Sequence, residues 1–320
     1  MIWLIGAGPM AGDYADVLKS LGVDFKVITR SKDNAVKLSE SKKIEVISGG
    51  VSNFLASSPS VCDAAIVAVP IDQLNVVTTE LINYGVKNVL LEKPGGIDFN
   101  EVTELCEKSK AKGAEISIAY NRRFYASVMK AKQLIESEGG VTSFHFEFTE
   151  WSDSIAKLKK GSSTKKNWLM ANSSHVIDLA FYLGGEVSQL AGFSSGENRL
   201  DWHKASSKYS GAGCTKNGAT FSYCANWDAP GRWALEFMTP QNRYYFKPME
   251  KLFVQARNSV ALSEVEVDYS LEETFKPGLY QQVKAFLNTE AAQDLLSLER
   301  HLKKRALYET IENGGSLEIS

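Results

Sequence analysis

The sequence predicts an α/β protein in two parts. Residues 1–118 read as a doubly wound parallel sheet, and residues 119–320 as a second α/β domain with an open, mostly antiparallel sheet. Three observations lead there. Short apolar runs alternate with amphipathic stretches through residues 1–118, the pattern of parallel strands joined by helical crossovers. A glycine-rich turn follows the first apolar run. After Tyr120 the pattern changes to a helix followed by residues alternating with period two.

In the first part, the runs near Ile2–Ile5, Asp24–Thr29, Ile44–Ile47, Asp63–Val69, Lys87–Leu91 and Glu115–Ala119 are the expected strands. Leu21-Gly22-Val23, Tyr84-Gly85-Val86 and Lys112-Gly113-Ala114 repeat one device, a glycine that closes a helix just before the next strand. Right-handed crossovers then place helices on both faces of the sheet. Beyond Tyr120 a helix is expected near Phe124–Glu138, then strand-like alternation from Val141 to Trp151. Residues 219–227, ATFSYCANW, put Ala219, Phe221, Tyr223, Ala225 and Trp227 on one face and Thr220, Ser222, Cys224 and Asn226 on the other, so one face is covered. Arg232–Thr239 and Asn242–Lys247 form a hairpin-like pair, and from Leu279 the chain returns to helix.

The 320 residues, 44% hydrophobic and 23% charged, suffice for two domains that each bury a core. A net charge of −2 supplies no basic field for nucleic acid or an anionic membrane, so a small-molecule partner is expected. Cys62, Cys106, Cys214 and Cys224 are widely spaced with no C-x-x-C pair, and only four histidines accompany them. Neither a metal site nor a disulfide framework is expected. The apolar run Ile2–Ile5 is too short for a signal peptide or a membrane span, and a cytoplasmic location is expected.

Gly6-Ala7-Gly8-Pro9-Met10-Ala11 directly follows the first strand as G-x-G-x-x-A. Gly6 allows the tight turn, Gly8 lets backbone approach a pyrophosphate, and the small Ala11 lets the helix pack close, its N-terminus facing the phosphates beside Pro9 and Met10. The position after a strand and before a helix makes this a dinucleotide-binding, Rossmann-type turn. The fourth strand ends in Val69-Pro70 and the fifth in Glu92-Lys93-Pro94, at the edge where such sheets bind ligands. Proline restricts the residue before it, so Lys93 is held extended, and a cis Lys93–Pro94 bond is one expectation. At the second strand end, Thr29, Arg30 and Ser31 stand where an acidic residue would accept bonds from the NAD ribose. A guanidinium and a hydroxyl suit a 2′-phosphate, so NADP is favoured, with NAD the alternative.

These motifs, with YNRRF at Tyr120–Phe124 and HVIDLAFYLGG at His175–Gly185, resemble the GFO/IDH/MocA oxidoreductases almost end to end. The resemblance implies a Rossmann domain, then an α/β domain whose open sheet makes a homodimer or homotetramer, and hydride transfer between nicotinamide and a secondary alcohol or ketone of a sugar or sugar derivative. It also implies that Lys93 contacts the substrate hydroxyl and that His175 is the general acid/base, a role suited to imidazole. Tyr120, Asn121 and Arg122 are candidates to line the cofactor and substrate cleft. Asp178 reads first as a helix cap and second as a substrate contact.

The sequence departs from the family where an aspartate usually stands four residues before the histidine. Ala171 occupies that position, and the following Asn172 can hold geometry but supplies no charge. Asn75 stands where many members have a histidine, and Asn167-Trp168-Leu169-Met170 replaces a glycine-rich run. Lys157–Lys166 carries five lysines and reads as a solvated loop, with Lys165 or Lys166 meeting an anionic or nucleotide-linked sugar as the alternative. Two other functions stand beside the dehydrogenase reading. One is redox-neutral sugar elimination or glycoside cleavage with tightly held cofactor, and the other is a non-catalytic NAD(P)-binding sensor.

Overall fold

The computed structural model describes residues 1–319. The chain divides into two compact units, Met1–Asn121 with Leu271–Lys303, and Arg122–Ser270 with Lys304–Ser320. The sequence reading kept residues 271–303 in the second domain, whereas they pack into the first unit.

In the first unit, β1 (Ile2–Ile5), β2 (Phe25–Thr29), β3 (Val46–Ser48), β4 (Ala64–Val67), β5 (Asn88–Glu92) and β6 (Glu115–Ala119) lie in the order β6–β5–β4–β1–β2–β3, all parallel. Order reverses between β1 and β4, which places the ligand-binding crevice of such sheets at their carboxyl ends. The central strands are apolar throughout because helices cover both faces, and every residue of β1 and β4 is buried. Gly113 closes the helix Phe99–Lys112 in the left-handed conformation, φ 59°, and Glu115 begins β6 two residues later.

Residues 271–303 join this unit because β6 would otherwise leave an open edge. Leu296–Ser297 pair antiparallel with Ile118 and Ser117, and Leu279, Val283 and Leu298 are buried beneath. The buried amide of Gln282, in the orientation that satisfies it, accepts from the Asn121 and Tyr120 N–H groups at 3.1 and 3.3 Å.

The second unit is built on β7 (Ser143–Glu147), β8 (Val187–Ser195), β9 (Lys208–Thr215), β10 (Thr220–Asn226), β11 (Ala234–Met238), β12 (Asn242–Phe246), β13 (Phe253–Ala256) and β14 (Ser263–Glu264). They run β14–β13–β12–β11–β7–β10–β9–β8, and Gly315–Glu318 closes the far edge against β8. Only β7 and β10 pair in parallel. The inward face is aromatic. Phe144 packs on Phe146, Phe181, Phe221 and Phe237, and Phe146 on Tyr223. The helix Ser174–Gly184 lies against this face so closely that a Cβ at Gly184 would stand 2.4 Å from Phe144 Cε1. Outward residues Thr220, Ser222 and Cys224 are exposed, the alternation the sequence shows.

Candidate active site

The nucleotide end of the first unit begins where β1 stops. Gly6 has φ +127°, and a Cβ there would lie 2.2 Å from the Ala68 carbonyl oxygen, so only glycine passes between β1 and β4. Gly8 is the N-cap of the helix Pro9–Ser20, with no side chain capping it and nothing within 4 Å of where its Cβ would be. Pro9 lacks an N–H, and the remaining first-turn N–H groups have no side-chain acceptor at the cap. The chemistry of this cradle fits a pyrophosphate. The small third position, Ala11, is fully buried and Met10 half-buried. Val69 and Pro70 follow β4 at the same sheet edge, half-buried and exposed.

At the end of β2, Thr29 is buried and Arg30 exposed. Ser31 caps the next helix, Lys32–Lys42, its Oγ accepting from Asn34 N at 3.2 Å. A second helix start therefore stands beside a guanidinium. Asn75 is buried, with its amide donating to the Glu101 carbonyl at 2.8 Å.

β5 ends in Glu92, which turns back into the unit to accept from Tyr14 Oη at 2.8 Å. Burial raises the Glu92 carboxyl above its ordinary range, and burial with the neighbouring carboxylate raises the Tyr14 phenol. Glu92, a cofactor candidate in the sequence, thus anchors the strand end to the helix Pro9–Ser20. Lys93 is half-buried and the Lys93–Pro94 bond is cis. His301 Nε2 donates to the Pro94 carbonyl at 2.9 Å, and Tyr120 packs on the His301 ring. Tyr120 is buried, and the Asn121 side-chain amide donates to the Pro277 carbonyl at 3.0 Å. Both candidates are therefore built into the interior of the first unit.

In the second unit, His175 is the second residue of the helix Ser174–Gly184, 7% exposed, its ring centroid 6.2 Å from that of Trp233. A π-helical turn, Leu169–Ser173, leads into it, an irregularity common at functional sites. Ala171 is buried, and a carboxylate stands beside the next two residues: Glu150 Oε1 accepts from Asn172 Nδ2 at 2.9 Å and from Ser173 Oγ at 2.7 Å. Burial raises the Glu150 carboxyl, while bonds from Ser173 and Asn172 and the Arg232 charge pull it back. The second Glu150 oxygen meets Arg232 Nη1 at 3.4 Å.

Arg232 stacks on two indoles, its Cζ 4.5 Å from the Trp151 ring centroid and 4.4 Å from that of Trp233. Arg122 also stacks on Trp233, at 4.8 Å. The sequence reading did not single out Glu150, Trp151, Arg232 or Trp233. One signal for Glu150 was present, since the inward series Phe144, Phe146, Phe148 runs on to a carboxylate at 150, and a charge on a core-facing position is seldom idle.

Asp178 is corrected. It neither caps its helix nor faces open space. Arg123 donates through Nε and Nη2 to its two oxygens, both at 2.7 Å, and Lys304 Nζ adds a third bond at 2.7 Å. Burial alone would raise this carboxyl, but Arg123 and Lys304 outweigh it and hold it well below the usual range. Lys165 sits in a short helix, Ser162–Lys166, with its ammonium on the Ala156 carbonyl at 2.8 Å, and Lys166 is exposed.

Residues 2–120 match the GFO/IDH/MocA family model, described as an oxidoreductase family with an NAD-binding Rossmann fold. Among characterised sequences, Oxidoreductase P35 of Formosa agariphila is 27% identical over 239 residues, covering 68% of this chain and 71% of that protein. Levoglucosan dehydrogenase in complex with NADH and L-sorbose superposes with a TM-score of 0.79 at 17% identity, over 100% of this chain and 98% of that one. A structure described as an NADPH-dependent oxidoreductase from Desulfitobacterium hafniense gives a TM-score of 0.80 at 16% identity, over 99% and 97%. At these identities the structural likenesses speak for the fold.

Proposed function

This chain carries in residues 2–120 the NAD-binding Rossmann fold of the GFO/IDH/MocA oxidoreductases, and from that premise we propose that it is an NAD(P)-dependent oxidoreductase acting on a secondary alcohol or ketone of a sugar or sugar derivative. The observation that carries the reading is the glycine turn opening onto a helix start that no side chain caps, within the segment that matches the family. The first-turn N–H groups beyond Gly8 hold the pyrophosphate, and Arg30 and Ser31 take the 2′-phosphate of NADP. When bound, the nicotinamide exchanges a hydride with the substrate carbon.

The chain itself manages the proton. Lys93, on a strand end fastened through Glu92 and Pro94, contacts the reacting oxygen and stabilises the charge that develops there. The imidazole of His175 accepts the proton released as alcohol becomes ketone and returns it in the reverse direction. Glu150 holds Asn172 and Ser173, and so fixes the turn that presents His175. Assembly through the open face of the second sheet and residence in the cytoplasm belong to the same reading; among the described residues no helix is long and apolar enough to cross a membrane.

The test is turnover of sugars, sugar acids and nucleotide sugars, followed by nicotinamide absorbance, in native protein and in Lys93→Ala and His175→Ala. Each variant is expected to lose roughly two to four orders of magnitude in kcat with little change in cofactor affinity. Near-native turnover in either variant removes that residue from the mechanism. Cofactor retained through purification, without net turnover of added nicotinamide, would point instead to redox-neutral chemistry.

A further inference from the structure

The cations around Trp233 outnumber the anions that answer them. The Arg122 guanidinium makes no hydrogen bond or ion pair with any described residue, its contacts being the faces of Trp233 at 4.8 Å and Tyr125 at 5.8 Å. Its Nε is buried without a partner, and burial lowers the guanidinium below its ordinary range. Glu150 and Glu250 act on it only at a distance beyond ion-pair reach. The indole Nε1 of Trp233, a residue 5% exposed, is likewise buried with no acceptor. Glu150 answers Arg232 with a single contact at 3.4 Å, its other oxygen being occupied by Asn172 and Ser173. The Arg232 side chain is 41% exposed, and Trp151 beside it is 58% exposed with its indole held to the Gly231 carbonyl at 3.0 Å.

Buried donors without acceptors cost free energy unless something answers them. Here two guanidiniums and an indole N–H share one aromatic ring, the same ring that packs beside His175. We propose that Arg122, Trp233 and Arg232 form an oxyanion subsite that binds the carboxylate or phosphate of an acidic sugar. Planar guanidiniums stacked on indole present their N–H edges in the geometry that recognises such groups, at less desolvation cost than ammonium. This assigns anion recognition to the arginine stack rather than to Lys165 and Lys166, the first of which is bonded to backbone and the second exposed. The inference rests on the dehydrogenase reading for its claim that the ligand is substrate. Its binding claim is independent of that reading.

The experiment uses native protein saturated with nicotinamide cofactor and a panel of hexonates, hexuronates, hexose phosphates and matching neutral hexoses, scored by tryptophan fluorescence titration and by turnover. Acidic sugars are expected to bind better than their neutral counterparts, with sulfate displacing them competitively, and the better of the two acidic series identifies the oxyanion. In Arg122→Gln the acid-to-neutral ratio of affinities should fall roughly ten- to a hundredfold, the effect of losing one charge-assisted contact. Sulfate competition is read on the native protein, so it tests the site even if the variant fails to fold. Acidic sugars that bind no better than neutral ones, or an Arg122→Gln variant that keeps the native ratio, overturn the proposal. Selective binding of acidic sugars without redox turnover counts against the dehydrogenase reading and leaves the subsite supported.

Discussion

Ser31 Oγ accepts the Asn34 N–H, which leaves its own hydroxyl proton to donate outward beside exposed Arg30. If this pair holds the 2′-phosphate, Arg30→Ala should cut kcat/KM for NADP by roughly ten- to a hundredfold, equivalent to ~1.5–3 kcal/mol, and leave NAD nearly unchanged. Steady-state kinetics with both cofactors checks this, and equal loss of the two would show that Arg30 does not read the phosphate. Glu150 poses a different test. Glu150→Gln keeps an acceptor for Asn172 and Ser173, so stability in urea should change by no more than ~1 kcal/mol. Glu150→Ala strands the buried Ser173 hydroxyl and the half-buried Asn172 amide and should cost about 2–3 kcal/mol. The sign with pH follows from burial. The folded carboxyl lies above its unfolded value, so Glu150 lowers stability as pH rises from about 4.3 through the folded value, and Glu150→Gln should remove that slope.

Asp178 ties the start of the second unit to one of its central helices. Its partners are Arg123, 55 residues earlier, and Lys304, 126 residues later. A carboxylate 1% exposed and triply bonded cannot lose its charge without taking the counter-charge from a buried guanidinium and an ammonium, so Asp178→Asn should cost about 3–5 kcal/mol in urea unfolding. Because the folded carboxyl is held below its unfolded value, its contribution is present in full above about pH 4 and is lost as pH falls toward the folded value. Acid unfolding should therefore be shallower in Asp178→Asn than in the native protein. The π-turn before His175 belongs to this scale too. A regular helix through Leu169–Ser173 would alter the spacing at which Asn172 and Ser173 meet Glu150.

The outward face of the nine-stranded sheet in the second unit is exposed along β8, where Gln189, Ala191 and Phe193 alternate outward and Phe193 is 71% exposed. If copies associate there, the native protein should have the mass of a dimer or tetramer by light scattering, and Phe193→Asp should shift it toward monomer. A native monomer would end that expectation. At the same scale, residues 271–303 close the edge of the first sheet although they lie far from it in sequence. Their helical periodicity was legible. Their destination was not, because an amphipathic helix states that it needs an apolar surface without stating which one.

What the sequence determined by itself was local. Six parallel strands, the glycine turn, the proline-bound Lys93 and the alternating ATFSYCANW strand follow from periodicities and turn chemistry that act within about ten residues, where few alternatives compete. The departure at Ala171 was also visible in sequence. The carboxylate beside the neighbouring turn was not, since Glu150 reaches Ser173 across 23 residues and only the packing of β7 against the helix Ser174–Gly184 brings them together. The same holds for Arg122 and Arg232, which meet over one indole. An arginine in sequence is a charge with no stated partner, and only tertiary packing decides whether it meets a carboxylate, as Arg123 does, or an aromatic face that leaves its donors to a ligand.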